Sequence, residues 1–260
     1  MTEATPGSRD AACAHGRRAA YFGGSFDPPH LGHLAVARAA RAALELDTVL
    51  FAPVGAQPLK PRGSTASFEH RVAMTRLAIE GEPGFALSLA DAPKPAGEPN
   101  YTLETLEALR SGLLAGCVLF CLMGADSFLG LRRWHRAAEL PFVAPLIVAS
   151  RPGQPLDDLK AALPAGLTMS PALQPPAPQS GVPRSDVPQS TVEVRSYLLR
   201  NPAGASAPFY LLPGLDVEIS ASQIRAQVRR AGKPESGTGA RRGQLPAGVA
   251  AYVRAHGLYR

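Results

Sequence analysis

One stretch constrains this chain more than any other: Tyr21-Phe22-Gly23-Gly24-Ser25-Phe26-Asp27-Pro28-Pro29-His30-Leu31-Gly32-His33. The apolar lead-in from Ala19 to Phe22 reads as a short buried strand. Two glycines follow, where backbone can approach a ligand with no Cβ in the way. Pro28 and Pro29 stiffen the chain ahead of a helix expected to begin near Leu31, since Leu34 to Leu46 is rich in Ala, Leu and Arg, all strong helix formers. Strand, glycine turn and helix start put free backbone N–H groups and a helix dipole at one point, a natural anion site. His30 and His33 are three residues apart, so both can face one side of the first turn. Gly32 between them leaves room for a phosphate. A Gly-Gly turn or a His pair alone is ordinarily structural; the joint pattern reads as a triphosphate cradle with two imidazole donors.

The stretch is neither a dinucleotide fingerprint nor a P-loop: no G-x-G-x-x-G follows the strand, and no G-x-x-x-x-G-K-[ST] occurs. Thr48 to Val54 reads as a second buried strand. Strand, helix and strand at this spacing imply a right-handed βαβ unit and a parallel sheet. The loop Gly55 to Ser67 carries Lys60 and Arg62 beyond the carboxyl end of the second strand, where open α/β sheets bind ligands. It reads equally as a solvated basic loop. A helix is expected over Phe68–Glu80, capped by Ser67, with an inner face of Val72, Met74, Leu77, Ala78 and Ile79. Phe85–Leu89 reads as a third strand, and Asn100-Tyr101-Thr102 opens a helix running to about Arg110.

Cys117 to Met123 is the most apolar run and suits a central strand buried on both faces. Asp126 follows it in Gly124-Ala125-Asp126-Ser127, a placement that suits ribose hydroxyls or the cap of a short helix. Trp134, the single tryptophan, lies in Arg132-Arg133-Trp134-His135-Arg136. Among those neighbours it suits a stacking surface at a polar site better than a dry core. Phe142–Ser150 reads as the next strand, Leu156–Leu163 as a helix and Phe209–Leu212 as a last strand. Pro171–Ser190 has no periodicity and reads as a surface loop or disordered insertion. In Ile219-Ser220-Ala221-Ser222-Gln223-Ile224-Arg225, Ser220 and Gln223 form a capping box, and Ser222 and Arg225 project from the first turn beside the dipole. Pro246–His256 is the expected final helix.

The chain carries a net charge of +6, which would suit nucleic acid or phosphorylated metabolites. Its basic residues are scattered and no aromatic platform is interleaved with them, so nucleic acid is not expected. Cys13, Cys117 and Cys121 do not make a disulfide framework and read as small hydrophobes rather than metal ligands. No apolar stretch approaches transmembrane length, and Met1–Arg18 lacks a signal-peptide core. A cytoplasmic protein with a disordered tail over residues 1–18 is expected.

The opening stretch resembles the G-G-x-F-D-P-x-H-x-G-H signature of the nucleotidyltransferase superfamily with the H-x-G-H motif. Further matching pieces are Asn100-Tyr101-Thr102, Gly124-Ala125-Asp126-Ser127, Trp134-His135, Arg151-Pro152-Gly153, Ser220–Arg225 and Gly257-Leu258-Tyr259-Arg260. Together they resemble the bacterial nicotinate-nucleotide adenylyltransferases over residues 19 to 260, apart from insertions near 165–205 and 232–243 expected to be flexible. The resemblance implies an α/β fold: a Rossmann-like doubly wound parallel sheet in a single domain, with a C-terminal helical portion. It implies transfer of AMP from ATP to nicotinate mononucleotide, with Mg2+ held mainly by the phosphates and no protein metal site; transfer to nicotinamide mononucleotide or pantetheine phosphate, and a non-catalytic nucleotide sensor on the same fold, stay open as alternatives.

The resemblance makes His30, His33 and Arg225 catalytic. It counts Gly23, Gly24, Ser25, Phe26, Asp126, Ser220 and Ser222 with them as ATP-binding. It gives Lys60, Tyr101, Thr102, Trp134, His135 and Arg151 to the mononucleotide. The family often has Pro-His-Lys in the loop after the second strand. Here Leu59 takes the His place, leaving Lys60 to contact a phosphate. Neither monomer nor homodimer is favoured.

Overall fold

The structure, a computed structural model, describes residues 16–60, 63–150, 155–172, 193–215, 219–231 and 243–260. Eight strands form one sheet: β1 (Arg18–Gly24), β2 (Thr48–Pro53), β3 (Phe85–Leu87), β4 (Val118–Gly124), β5 (Leu146–Ala149), β6 (Thr168–Pro171), β7 (Arg195–Arg200) and β8 (Ser206–Leu212). Their order is β3-β2-β1-β4-β5-β8-β7-β6. The first six in that order run parallel, while β7 and β6 add antiparallel at the β8 edge. The fold is thus the expected doubly wound sheet with an antiparallel border. Its helices are α1 (Leu31–Ala43), α2 (Phe68–Ile79), α3 (Thr102–Ser111), α4 (Ala125–Leu129), α5 (Leu140–Val143), α6 (Leu156–Ala161), α7 (Ala221–Ala231) and α8 (Ala247–Ala255).

Strand alternation builds two cores. Ala20 and Phe22 of β1 join Leu34, Ala37 and Ala40 of α1 on one face. Ala19 and Tyr21 join Leu103 and Leu106 of α3 and Phe128 of α4 on the other. Burying one such large side chain contributes roughly 1.5–3 kcal/mol, so this two-faced pattern fixes the register of β1. A third cluster joins Met74 and Ala78 of α2 to Val249 and Val253 of α8, with Tyr259 packed in. No described helix is long and apolar enough to cross a membrane.

Several sequence expectations are corrected. Phe142 and Val143 are helical, because the strand forms only after Pro145. A residue before proline is pushed out of the helical region, and Ala144 is extended at φ −146°. Leu89 lies beyond β3 and is exposed. The buried face of α2 is Arg71, Met74, Thr75, Ala78 and Ile79, while Val72 and Leu77 are half-buried. Hydrophobic patterning cannot register a face that includes an arginine. Cys121 is a buried free thiol, whereas Cys117 is half-buried. The insertion expected over 165–205 contains β6 and β7, whose Tyr197 and Leu199 bury into the core. Residues 173–192 and 232–242 lie outside the described residues, as do 1–15, but Arg18 of the expected tail already belongs to β1.

Candidate functional site

From β1 the chain winds to β2 and β3 on one side; from β4 it winds to β5 on the other. The carboxyl ends of β1 and β4 therefore flank the point where strand order reverses, the ligand crevice of open α/β sheets. A cavity of about 890 Å³ opens there. That is near the upper end of the roughly 300–1,000 Å³ usual for small-molecule sites.

The phosphate side begins at α1, with His30 at its N-cap position. The His30 and His33 rings stack with centroids 3.7 Å apart and planes 27° apart. The His30 backbone N–H donates to His33 Nδ1 at 3.1 Å. Burial lowers the His30 pKa to about 4. Burial first, and the neighbouring His30 second, hold His33 well below the usual imidazole value. Both rings are neutral at pH 7. A neutral imidazole that accepts at Nδ1 carries its proton on Nε2, so His33 keeps an N–H donor for a ligand. The helix start is less open than the sequence implied, because the Leu31 N–H donates to the Gln244 carbonyl at 3.0 Å.

Asp27, 4% exposed, organises the loop around these rings. Its carboxylate accepts from the Thr65 N–H at 2.6 Å, the Ala66 N–H at 3.1 Å and the Tyr259 hydroxyl at 2.8 Å. The Asp27 carbonyl accepts from Arg225 Nη1 at 2.6 Å, and that same nitrogen lies 3.8 Å from the Asp27 carboxylate. Arg225, in the first turns of α7, also donates to Ser222 Oγ at 3.2 Å. The Ser220 carbonyl accepts the first bond of that helix, from Ile224. Buried Arg71 donates to the Ser25 carbonyl at 2.8 Å, and Lys60 Nζ donates to Ser25 Oγ at 2.6 Å. Lys60 is exposed as a residue, yet desolvation first and nearby Arg225 second lower its ammonium pKa. The structure thus sets Lys60 beside Ser25, near Arg225 and Arg71.

Another part of the cavity lining is aromatic. Tyr101 and His135 stack at 4.3 Å with planes 33° apart. Trp134 is half-buried, packed against the core yet lining the cavity. Tyr101 occupies the N-cap of α3 without a side-chain cap bond, which leaves the first N–H groups at Thr102 to other acceptors. Asn100 is no cap: its Oδ1 accepts from the Ala56 N–H, and its Nδ2 donates to the Ala92 carbonyl. Asp126 stands exposed in the first turn of α4, on the cavity wall. A Cβ on neighbouring Gly124 would meet nothing within 4 Å. Arg151 lies outside the described residues.

Three groups escaped the sequence reading. Buried Asp91 accepts from the hydroxyls of Tyr21 and Thr105, and desolvation raises its pKa despite those bonds. A Cβ on Gly23 would sit 2.2 Å from the Tyr21 hydroxyl, so this glycine makes room for the Tyr21–Asp91 contact. Tyr259 was named only within a matching piece and Arg71 not at all, and only distant pairing reveals their place at the site. Among the described residues, no three His, Cys, Asp or Glu side chains gather to hold a metal.

The Cytidylyltransferase-like family matches residues 21–227. A probable nicotinate-nucleotide adenylyltransferase of Stenotrophomonas maltophilia (strain K279a) is 40% identical over 244 residues, covering 92% of this chain and 96% of that protein. The chain belongs to this family. A second member, from Roseiflexus sp. (strain RS-1) and carrying the same description, is 36% identical over 239 residues, with 92% and 96% covered. In fold, the chain is similar to the Plasmodium falciparum nicotinic acid mononucleotide adenylyltransferase complexed with NaAD. The TM-score is 0.60 at 13% identity, covering 94% of this chain and 97% of that one.

Proposed function

We propose that this family member joins ATP and nicotinate mononucleotide, giving nicotinate adenine dinucleotide and pyrophosphate. One observation carries the proposal: a single cavity at the β1/β4 switch point is lined both by the stacked His30/His33 pair with Arg225 and by the Tyr101–His135–Trp134 group. Relatives named for this activity cover the chain nearly end to end.

An oxygen of the mononucleotide phosphate attacks the α-phosphorus of ATP. The new P–O bond forms as the α–β bridge breaks, and pyrophosphate leaves with the electron pair. The attacking phosphate is largely dianionic at pH 7, its second pKa being about 6, so no general base is needed and no covalent intermediate forms. The protein contributes position and charge. His33 Nε2–H and His30 serve the transferred and bridging phosphates. Gly23, Gly24, Ser25 and Phe26 form the backbone floor. Arg225, with Ser220 and Ser222 at the start of α7, holds the leaving pyrophosphate, and Lys60 adds a cation beside Ser25. Asp126 takes the ribose hydroxyls. Tyr101, Thr102, Trp134 and His135 form the ring pocket, and Arg151 completes the acceptor side.

The donor set fits a cation carried on phosphate oxygens, since Asp27 is already occupied by N–H and O–H donors. Mg2+ bound there would neutralise developing phosphate charge. No nucleic acid takes part in this reaction, and its setting is cytoplasmic. Pyrophosphate release from ATP, measured with nicotinate mononucleotide, nicotinamide mononucleotide and pantetheine phosphate as acceptors, tests the proposal. Release with nicotinate mononucleotide alone supports it; release only with another acceptor, or none at all, overturns it.

A further inference from the structure

Tyr259 is the penultimate residue, 232 positions from Asp27, yet its hydroxyl reaches the Asp27 carboxylate at 2.8 Å. It is 6% exposed and packs with Met74 and Val253 between α2 and α8. Its backbone is left-handed, at φ 66°, which a non-glycine residue adopts at a cost when its surroundings hold it there. Burial and the adjacent carboxylate push its pKa up, so the hydroxyl stays a donor at every working pH. A second contact from the same end of the chain meets the same loop: the Gln244 carbonyl takes the first N–H of α1. The C-terminal segment thus grips the phosphate loop at Asp27 and at Leu31, on both sides of His30.

We propose that Tyr259 is a positioning residue for the triphosphate: by holding Asp27, it sets the place of Arg225 and of the loop bearing His30 and His33. Asp27 contacts Arg225 twice, through its carbonyl at 2.6 Å and its carboxylate at 3.8 Å. Without the Tyr259 hydroxyl, the Asp27 carboxylate keeps the Thr65 and Ala66 N–H groups as its neutral donors, and the oxygen left short of a partner is drawn more strongly toward the guanidinium. That pull draws Arg225 off the phosphates and brings negative charge toward them. Acceptor binding, at the Tyr101–His135 stack, is left alone.

The test uses the full chain and the Tyr259→Phe variant, which keeps the packed ring and removes one hydroxyl. Expected is a fall of at least tenfold in kcat/KM for ATP, with KM for nicotinate mononucleotide within twofold of the parent. Tyr252→Phe is the control, since it removes a hydroxyl from α8 that contacts His70 at 3.0 Å instead of the phosphate loop. It should lower the melting temperature by a similar amount and leave kcat/KM for ATP within twofold. A double-mutant cycle reads the same coupling independently: in an Asp27→Asn background, adding Tyr259→Phe should change kcat/KM for ATP less than threefold. A Tyr259→Phe enzyme that matches the parent, or that loses efficiency toward both substrates alike, overturns the inference. So does full additivity with Asp27→Asn. The inference rests on the phosphate-site reading above. A parent chain without turnover would count against that reading, whereas an active parent with an indifferent Tyr259→Phe counts against Tyr259 alone.

Discussion

His30 and His33 stack face to face at 3.7 Å, and the backbone N–H of the first is bonded to Nδ1 of the second. This pairing fixes the tautomer of His33 and leaves its Nε2–H as the free-to-donate side of a ring that lines the cavity. Replacing His33 by Ala should keep the fold, because the residue borders the cavity instead of filling a closed core. Turnover should fall by about two to three orders of magnitude, the range for losing one preorganised transition-state donor. Steady-state kinetics on a variant shown folded by circular dichroism checks this. Near-normal turnover would rule out the phosphate role.

The same burial makes the free enzyme acid-sensitive. Folded His30 has a pKa near 4, against about 6.5 in the unfolded chain. Above pH 6.5 both states are neutral and the group costs nothing. As pH falls from 6.5 toward 4, only the unfolded state takes up the proton, so stability is lost. The difference of about 2.5 pKa units corresponds to about 3 kcal/mol once pH is below 4. Urea titrations at pH 7, 6, 5 and 4 on the parent and His30→Gln should show a steeper decline in the parent. Parallel declines would place the acid sensitivity elsewhere.

Arg225→Ala should raise KM for ATP at least tenfold and leave nicotinate mononucleotide affinity within about threefold. Charge-assisted bonds contribute roughly 1.5–3 kcal/mol each, and Arg225 sits in the phosphate loop beside Asp27. Calorimetric titration with each nucleotide separates the two effects. Unchanged ATP affinity with weakened acceptor binding would exchange the roles of the α1 and α7 helix starts.

Local signals carried much of this site. The Gly23–His33 stretch announced strand, turn and helix because each residue type there has a strong backbone preference, and Ser220–Arg225 announced the start of α7 in the same way. Asp27 lay inside the first motif, but its partners Thr65, Ala66, Tyr259 and Arg225 are scattered along the chain. Nothing in local patterning brings such residues together. Strand β7 was missed because Arg195-Ser196-Tyr197-Leu198-Leu199-Arg200 alternates too weakly to signal a half-buried strand. Asp91 was missed because a buried acid stabilised by two hydroxyls looks, in sequence, like any loop aspartate.

Two glycines in the cavity wall should respond oppositely to a methyl group. A Cβ at Gly23 meets the Tyr21 hydroxyl at 2.2 Å, and that ring is buried and bonded to Asp91. Gly23→Ala should therefore cost about 1–3 kcal/mol by overpacking. Gly124 faces open space, so Gly124→Ala should stay within about 1 kcal/mol of the parent. Denaturant unfolding of both variants decides it; equal losses would mean that Tyr21 moves aside freely.

The acceptor should be nicotinate mononucleotide in preference to the nicotinamide form. The two differ by a carboxylate against an amide, so selection needs donors without matching acceptors. The first turn of α3 provides N–H groups that the Tyr101 side chain does not cap. The Tyr101–His135 stack and half-buried Trp134 provide faces for the ring. Asp91 lines the same cavity, but burial disfavours its charge and its oxygens are taken by Tyr21 and Thr105. An amide NH2 facing those α3 donors would leave each unpaired, at roughly 1–3 kcal/mol apiece. One or two mismatches give about ten- to several-hundredfold discrimination in kcat/KM. Kinetics with both mononucleotides tests the preference: equal values would remove the α3 helix start from the pocket, and a Trp134→Ala enzyme with full acceptor affinity would remove the stacking face.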